Sequence, residues 1–432
     1  MAAIRRSWGL AAAGISLVAL MVVPMMVSSI GIDRGMGARA VTGIAPSGVF
    51  AEATIPVGNS PCGVAVDTVN GELYTSNSGS ANVTVINGTT NGVVVASIPV
   101  GTSPCGIAYD RSNGDIYVAN DANNNVTVID GATNRVIVAS IPVGAFPIAA
   151  AYDDANGYVY VMDRSSANVT VINGATNRVV VPSIPVGTEP YGVAVDSANG
   201  DVYTANYVSN NVTVISGATN KVLVPSIPVG SAPQGVGFDS ANGYVYVTNR
   251  ATNNVTVIDG ATNKVVLGSI PVGSIPFAAS FDSRNGFVYV SNFGSSNLTA
   301  INGTTDKVAL ASIPVGSEPW GSAFDSANGY LYVASYSTAA ITLVAPAYAP
   351  AGSSGGGGST FLGLTTGEGY GLVAGLLVWG VAGSVAAVWF ARQRRKSNSG
   401  PPRTYPSPLN PQGPATPPST PPGPGAPPSF PP

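Results

Sequence analysis

The side chains able to carry chemistry in this chain are mainly carboxylates, hydroxyls and two cysteines. The 432 residues include no histidine, which excludes histidine-based triads and histidine metal sites. One aspartate recurs every 43 residues and invites a calcium interpretation. Each copy begins a D-x-x-N-G turn, where aspartate bonds its own backbone, and copies in seven separate units do not converge on one ion. We therefore predict no metal and no cofactor. The recurring aspartates are Asp67, Asp110, Asp153, Asp196, Asp239, Asp282 and Asp325.

The two cysteines occupy equivalent positions in the repeat. Cys62 and Cys105 stand 43 residues apart, each in a P-C-G tripeptide. A disulfide requires their Cα atoms to lie within about 7 Å, and an exterior location permits the bond. The alternative is two free thiols inherited through repeat duplication, and the sequence leaves both interpretations open.

These residues belong to an internal repeat that indicates the fold class. The tetrapeptide IPVG and a tyrosine each occur seven times, 43 residues apart and without insertion. Each unit contains four short segments rich in Val, Ile, Tyr and Thr, separated by Gly, Asn, Asp and Ser, which predicts four strands, a to d. Four strands in about 40–45 residues match one blade of a β-propeller, and propellers typically close with four to eight blades.

The ends of the array predict how the ring closes. Seven a-b-c sets are present, but a d strand follows only the first six. The seventh d strand, EATIPVG from Glu52, stands at the N-terminal end. We therefore predict an all-β fold, a seven-bladed β-propeller over residues 52–345, whose N-terminal strand completes the last blade. An open solenoid would instead leave an unpaired edge at each end.

The repeat resembles a known family. The sequences YVTN, YVAN and YVSN, beside IPVG and GVAVD, are similar to the YVTN-type β-propeller repeats of archaeal and bacterial surface proteins. The resemblance covers roughly residues 52–345. It implies a propeller and suggests a surface location, but it implies no reaction, because the family shares a scaffold and not one chemistry.

The N-terminal segment is typical of an export signal. Arg5 and Arg6 precede an apolar run from Trp8 to Ile32, and the tripeptide ARA at residues 38–40 is a candidate cleavage site. The run is also long enough to remain as an anchor. Residues 1–40 are therefore predicted to be a signal peptide or a signal anchor.

The C-terminal flank predicts a membrane span. A Gly-, Ser- and Pro-rich tether at 346–369 leads to an uncharged apolar stretch at 370–391, which is long enough to cross a bilayer as a helix. The basic cluster RQRRK follows directly and places residues 392–432, a basic and Pro-rich disordered tail, in the cytoplasm. The predicted location is the cell membrane, with the propeller extracellular.

The charge balance argues against a nucleic acid partner. Residues 52–345 contain 19 acidic and 9 basic side chains, a net charge of −10. A nucleic acid binder would carry the opposite sign. The expected partners are the membrane and a surface protein or glycan.

Asn-x-Thr sequons recur through the array and suggest N-glycosylation on an exterior domain. Two of them, Asn87 and Asn302, stand in c–d turns. The alternative is that asparagine ends a turn and threonine suits a strand, so that the repetition is structural. The other six each begin a c strand and are called the c-strand sequons: Asn82, Asn125, Asn168, Asn211, Asn254 and Asn297.

Two turns of the repeat differ between blades and suggest a binding surface. The d–a and b–c turns should share one face, where aromatic residues gather on blades 4, 6 and 7 and two glutamates replace small or apolar residues. Exposed aromatics beside charged residues are typical of recognition patches, although turns also drift freely where little packing restrains them. The candidate ligand-binding residues are Tyr191, Phe277, Trp320, Tyr207, Phe293, Tyr336, Glu189 and Glu318.

The function that these features favour is adhesion, ligand recognition or surface-layer structure by a membrane-anchored propeller, and not catalysis. One alternative is an extracellular enzyme that uses carboxylates at the propeller mouth. Another is a sensor that signals through the Pro-rich tail.

Overall fold

The computed structural model describes residues 49–346, which form seven four-stranded antiparallel sheets. In six sheets the strands follow chain order, and the seventh combines the first strand with the last three. A seven-bladed propeller is therefore confirmed. The segments predicted as export signal, membrane span and tail lie outside the described residues, as does the tether from residue 347 onward. Within residues 49–346, no helix is long and apolar enough to cross a membrane.

The strands are short and evenly spaced along the chain. In chain order they are β1 (Val49–Pro56), β2 (Pro61–Asp67), β3 (Glu72–Asn77), β4 (Asn82–Asn87), β5 (Gly92–Pro99), β6 (Pro104–Tyr109), β7 (Asp115–Asn120), β8 (Asn125–Asp130), β9 (Arg135–Pro142), β10 (Pro147–Asp153), β11 (Tyr158–Asp163), β12 (Asn168–Asn173), β13 (Arg178–Pro185), β14 (Pro190–Val195), β15 (Asp201–Asn206), β16 (Asn211–Ser216), β17 (Lys221–Pro228), β18 (Pro233–Asp239), β19 (Tyr244–Asn249), β20 (Asn254–Asp259), β21 (Lys264–Pro271), β22 (Pro276–Asp282), β23 (Phe287–Asn292), β24 (Asn297–Asn302), β25 (Lys307–Pro314), β26 (Pro319–Phe324), β27 (Leu331–Ser335) and β28 (Ala340–Pro346). Three single-turn 3-10 helices span Asp121–Asn123, Phe293–Ser295 and Tyr336–Thr338.

The N-terminal strand closes the ring as predicted. β1 pairs antiparallel with β28, in a register that runs from Val49 opposite Pro346 to Pro56 opposite Ala340. Ile55, in the IPVG motif, is buried against blade 7. The strand begins three residues before the predicted Glu52. Without β1, the outer edge of β28 would have no backbone partner.

The hydrophobic core lies between neighbouring blades. Strands b and c alternate side chains above and below their sheet, and Val and Ile on each side meet the next blade. Val212 and Val214 of blade 4, for example, pack with Val245 and Val247 of blade 5, and all four are fully buried. The period-two pattern in the sequence therefore yields a core distributed over seven interfaces.

The repeating tyrosine links each blade to the next. Tyr74 is fully buried, and its hydroxyl donates to Asn134 Oδ1 (2.7 Å) and lies 3.1 Å from the Gly131 carbonyl oxygen of blade 2. Tyr332 of blade 7 makes the equivalent bond to Asn91 Oδ1 of blade 1 (2.9 Å), across the ring closure. The hydroxyls that end these buried side chains thus have partners at the blade interface.

The recurring aspartates hold the a–b turns. Asp67 Oδ1 accepts from the Val69 (2.8 Å) and Asn70 (3.2 Å) backbone N–H groups, and Gly71 ends the turn with φ of +74°. Asp110 Oδ1 accepts from Ser112 N in the same way (2.8 Å). This local bonding is the turn-forming role predicted from D-x-x-N-G.

Candidate ligand-binding face

One face of the ring is built from the d–a and b–c turns, and we call it the loop face. Backbone hydrogen bonds join the two turns in each blade, as from Tyr207 N to the Glu189 carbonyl oxygen (2.9 Å) and from Tyr336 N to the Glu318 carbonyl oxygen (3.1 Å). The residue before each strand-a proline adopts a positive φ, which is unusual for a β-branched residue such as Ile275 (φ +54°). The turns are therefore held in one conformation before any ligand arrives.

The pore opens on this face through a cavity of about 210 Å³. Its lining includes one equivalent position from every blade, directly after the strand-a proline. The disulfide, Ile148, Tyr191 and Trp320 belong to the same cluster of packed side chains. The seven equivalent positions are Cys62, Cys105, Ile148, Tyr191, Gln234, Phe277 and Trp320.

Four of the six candidate aromatic residues form one cluster on blades 6 and 7. The ring centroid of Phe277 lies 4.9 Å from Phe293 and 4.4 Å from Trp320. Trp320 also contacts Phe293 (5.8 Å) and stacks on Tyr336 (5.2 Å). Phe277 is only 7% exposed, so it supports the cluster from below, whereas the other three are half-buried.

The remaining two candidates form a separate pair on blade 4, and arginines extend that pair on both sides. The Tyr191 and Tyr207 rings lie 5.4 Å apart. Arg250 Nη1 donates to the Tyr207 hydroxyl (2.9 Å), and its Cζ lies 5.9 Å from the Tyr207 ring and 5.8 Å from the Phe277 ring. Arg250 of blade 5 thereby joins the blade 4 pair to the cluster on blades 6 and 7.

A second arginine occupies the other side of the pair. Arg164 Nη1 donates to the Tyr191 hydroxyl (2.8 Å), and its Cζ lies 5.4 Å from Tyr191 and 5.7 Å from Phe146. The result is a continuous row around the mouth, from blade 3 to blade 7, which we call the aromatic–arginine arc. In order it contains Phe146, Arg164, Tyr191, Tyr207, Arg250, Phe277, Phe293, Trp320 and Tyr336.

The candidate ligand-binding residues omit three members of the arc. Phe146 holds the same repeat position as Glu189, and Arg164 and Arg250 hold the same position as Tyr207. The sequence signal for the two arginines is that they stand at a position which varies between blades. The spacing of residues along the sequence does not show that these three side chains contact residues of neighbouring blades.

The two candidate glutamates do not pair with the arginines of the arc. The Ser337 hydroxyl donates to the Glu318 carboxylate. Among residues 49–346, the single ion pair joins Arg111 to Asp154 (3.4 Å), on the opposite face. In the same range, no three acidic or cysteine side chains gather as a metal site would require.

The cysteines meet at the inner edge of blades 1 and 2. The structure joins Cys62 to Cys105, with Cα atoms 5.0 Å apart, within the range that disulfides adopt. Both side chains are buried. The mouth is therefore lined by the small disulfide on blades 1 and 2 and by the larger side chains of the arc on the other blades.

The c-strand sequons have a structural role. Asn82 Oδ1 accepts from Asn77 Nδ2 (2.8 Å), and Asn82 Nδ2 donates to Ser97 Oγ (2.9 Å). Thr84 of the same sequon is buried and donates to the Ala96 carbonyl oxygen (3.0 Å). All six c-strand sequons make the equivalent asparagine-to-serine bond, at 2.9–3.0 Å. The repetition of Asn-x-Thr therefore follows from the packing of strands b, c and d.

Blade 3 departs from this network at one buried residue. Asp163 stands where blades 1, 2, 4, 5 and 6 have an asparagine, and it is fully buried. Thr170 Oγ1 lies 2.6 Å from Asp163 Oδ2, and the backbone N–H groups of Gly144 and Thr170 lie near enough to the carboxyl to oppose the rise in its pKa. Asn168 Oδ1 finds no partner in the described residues. Burial raises the pKa of the Asp163 carboxyl to about 6.

A second cavity, of about 320 Å³, lies at the opposite end of the pore. Tyr109, Tyr152 and Phe324 line it together with the Arg111–Asp154 ion pair. Burial raises the pKa of both tyrosines. Sequence reasoning missed this site, although tyrosine precedes the recurring aspartate only in blades 2 and 3.

Comparison with known proteins supports the fold of this chain and does not identify its function. No protein-family model matches the chain, and no curated protein matches it. Hydrazine synthase of Kuenenia stuttgartiensis is structurally similar, with a TM-score of 0.59 and 19% sequence identity, over 68% of this chain and 97% of that chain. At this identity the likeness shows a shared propeller-like fold alone.

Proposed function

We propose that this chain is a membrane-anchored cell-surface propeller of the YVTN type, which recognises a ligand through its loop face in adhesion or in a surface coat. The aromatic–arginine arc is the observation that carries this proposal. Tyr, Trp and Arg are the side chains that dominate binding energy at recognition surfaces. The seven repeats keep one framework, and only five of the seven blades place aromatic or arginine side chains of the arc at the mouth, so one sector of the mouth is specialised.

The arc is also organised before binding. Each tyrosine hydroxyl of the blade 4 pair accepts from an arginine, and each arginine lies near two rings. Side chains already held in place lose less conformational entropy when a ligand binds. This organisation supports a role for these side chains in ligand recognition, and not only in filling space within the turns.

The chain path supports presentation of the loop face to the exterior. Val49 and Pro346 are paired at the end of blade 7 that is opposite the loop face, so both flanking segments leave from that side. A membrane span at 370–391 would then be joined through the tether to the side of the propeller opposite the loop face. The sequence evidence for that span is its uncharged apolar stretch and the basic cluster after it.

The enzyme alternative receives less support from the geometry. It needs carboxylates free to act at the mouth, and Glu318 is engaged by Ser337.

Topology is tested by adding protease to intact cells that produce the full chain. We expect digestion of the propeller and survival of the tail after Arg392. Protection of the propeller with loss of the tail would contradict the proposed orientation.

Binding is tested with the full-length chain in vesicles, applied to glycan and peptide arrays. The double variant Trp320→Ala/Tyr191→Ala should bind at least about 30-fold more weakly, since truncating a hot-spot side chain costs on the order of 2 kcal/mol or more. Val69→Ala is a matched control, because this side chain is 80% exposed in an a–b turn of the opposite face. Unchanged binding by the double variant, with an intact fold, would refute the proposal.

A further inference from the structure

The loop face has an unusual distribution of charge. Of the nine basic residues of the propeller, seven lie in a–b turns or at the start of d strands, toward the opposite face. Only Arg164 and Arg250 stand on the loop face. Building on the proposed function, we propose that these two arginines receive the carboxylates of an acidic saccharide whose rings lie on the aromatic residues of the arc.

Both guanidinium groups are positioned but not neutralised. Each uses Nη1 to donate to a tyrosine hydroxyl, and neither forms an ion pair within residues 49–346. The other N–H groups of each fork are left to bind a planar anion in two-pronged fashion, which is the geometry that arginine provides for carboxylates. Burial raises the pKa of the Asp121 carboxyl, and the Arg164 charge lies near enough to oppose part of that rise. We therefore expect Arg250 to contribute more than Arg164.

The order of groups along the arc fits a ring-shaped ligand with acid substituents. Arg164 and Arg250 flank the Tyr191–Tyr207 pair, and successive neighbours lie 5.4–5.9 Å apart. Aromatic faces give flat apolar contact, while the flanking cations give charge complementarity to groups at either side. Beyond Arg250, the half-buried rings on blades 6 and 7 continue the platform for further sugar units.

The mouth also carries an unsatisfied hydrogen-bond acceptor. Gln234 lines the cavity and is 4% exposed, and its Oε1 accepts no hydrogen bond from the described residues. A buried amide oxygen without a donor is costly. A ligand hydroxyl that reached it would supply the donor, and hydroxyls are abundant on a saccharide.

An acidic peptide fits this face less well. Peptides bound as added strands need unpaired backbone groups on the receiving protein. Here the turns bond each other, as from Arg250 N to the Ala232 carbonyl oxygen (3.0 Å) and from Phe293 N to the Ile275 carbonyl oxygen (2.9 Å). Recognition must therefore come from side chains, and these present rings and charges.

The test uses the full-length chain in vesicles and three soluble probes. They are a hexamer of α-1,4-galacturonic acid, the same hexamer with its carboxylates methyl-esterified, and hexaglutamate. We expect measurable binding of the acid hexamer, weakened by added salt, and at least about 10-fold weaker binding of the ester and the peptide. Equal binding of acid and ester, or preference for the peptide, would overturn the proposal.

Variants separate this inference from the proposed function. Arg250→Gln should weaken acid-hexamer binding by roughly 10- to 100-fold, the loss expected for a charge-assisted pair, and Arg250→Lys should restore only part of it. Glu189→Gln removes a negative charge from the d–a turn of blade 4 and should tighten binding of the acid hexamer, whereas weaker binding by this variant would show that the charge of this face does not select the carboxylates and would overturn the inference. If Arg250→Gln binds normally while Trp320→Ala/Tyr191→Ala does not, the proposal that the arginines receive carboxylates is wrong, and the proposal that the loop face binds a ligand is retained. If neither set of substitutions has an effect, both proposals fail.

Discussion

Replacing Asp163 by asparagine is expected to stabilise the propeller at neutral pH and to remove part of its pH dependence. In blades 1, 2, 4, 5 and 6 the equivalent asparagine donates from Nδ2 to the first asparagine of strand c, at 2.8–2.9 Å. An ionised Asp163 has no proton to donate. Thr170 Oγ1 has one proton for two acceptors, Asp163 Oδ2 (2.6 Å) and the Pro182 carbonyl oxygen (3.1 Å). Protonation of Asp163 supplies the missing donor, for which Asn168 Oδ1 is the unpaired acceptor.

The magnitude follows from the pKa of this carboxyl. Burial raises it from 3.8 to about 6, against smaller opposing effects of hydrogen bonds from Thr170 and Gly144, and no other charged group contributes to the change. That interval corresponds to about 3 kcal/mol at 1.36 kcal/mol per pH unit. Because the folded state holds the proton more tightly than the unfolded state, the stabilisation is complete below about pH 4. It is lost as the pH rises through about 6.

The assay is thermal unfolding of the wild-type chain and Asp163→Asn at pH 3 and pH 7. The two should be nearly equal at pH 3, and the variant should be more stable at pH 7 by up to about 3 kcal/mol. For a domain of about 300 residues this is a difference in Tm of roughly 5 °C. Burial raises the pKa of Asp239 in both chains, so its contribution cancels.

Asn120→Asp is the reciprocal control. Asn120 is fully buried and occupies the same register in blade 2. Its replacement should lower stability at pH 7 by a similar amount and introduce the same pH dependence. A stability difference between wild type and Asp163→Asn that did not change between pH 3 and pH 7 would refute the reasoning. It would mean that the Asn168 amide turns to donate to an ionised Asp163.

Three further predictions follow from the fold. Deleting residues 41–58 removes β1, so the exposed edge of β28 should cause aggregation or a large loss of thermal stability; a monomeric, well-folded product by size exclusion would contradict closure. Reducing the bond between Cys62 and Cys105 should lower stability by about 4 kcal/mol, since it opens a loop of 43 residues. Titration of free thiols should find none before reduction, and two free thiols would contradict the bond. Glycopeptide mass spectrometry should find any N-glycans at Asn87 and Asn302, not at the c-strand sequons. Within residues 49–346 the Asn87 side chain accepts hydrogen bonds at Oδ1 and donates none from Nδ2, the atom that would carry the glycan, whereas the c-strand asparagines donate from Nδ2. Glycans confined to the c-strand sequons would contradict this.

The fold could be predicted from local pattern because each blade repeats the same information. A period-two alternation indicates a strand, and D-x-x-N-G indicates a turn with a positive φ, as Gly71 has. The count of d strands then leaves a single closed arrangement without an unpaired edge, which β1 and β28 adopt.

The structural role of several repeated residues could not be predicted from local pattern. Asn-x-Thr is an acceptor motif by sequence, but in the structure the threonine is buried and the asparagine bonds strands b and d. Sequence places Asn82 at a strand start and does not show that Ser97, in strand d, will lie beside it.

The sequence by itself determined the number of blades, the closing strand and the positions at which the blades differ. Only the tertiary structure decided which of those side chains meet. Arg250 and Tyr207 are 43 residues apart and on different blades, and they touch because the ring brings neighbouring b–c turns together. Local spacing specifies the direction of a side chain within its own blade. The distance between blades is set by how the side chains at their shared interface pack, and that packing turned six candidate aromatics into an arc containing two arginines.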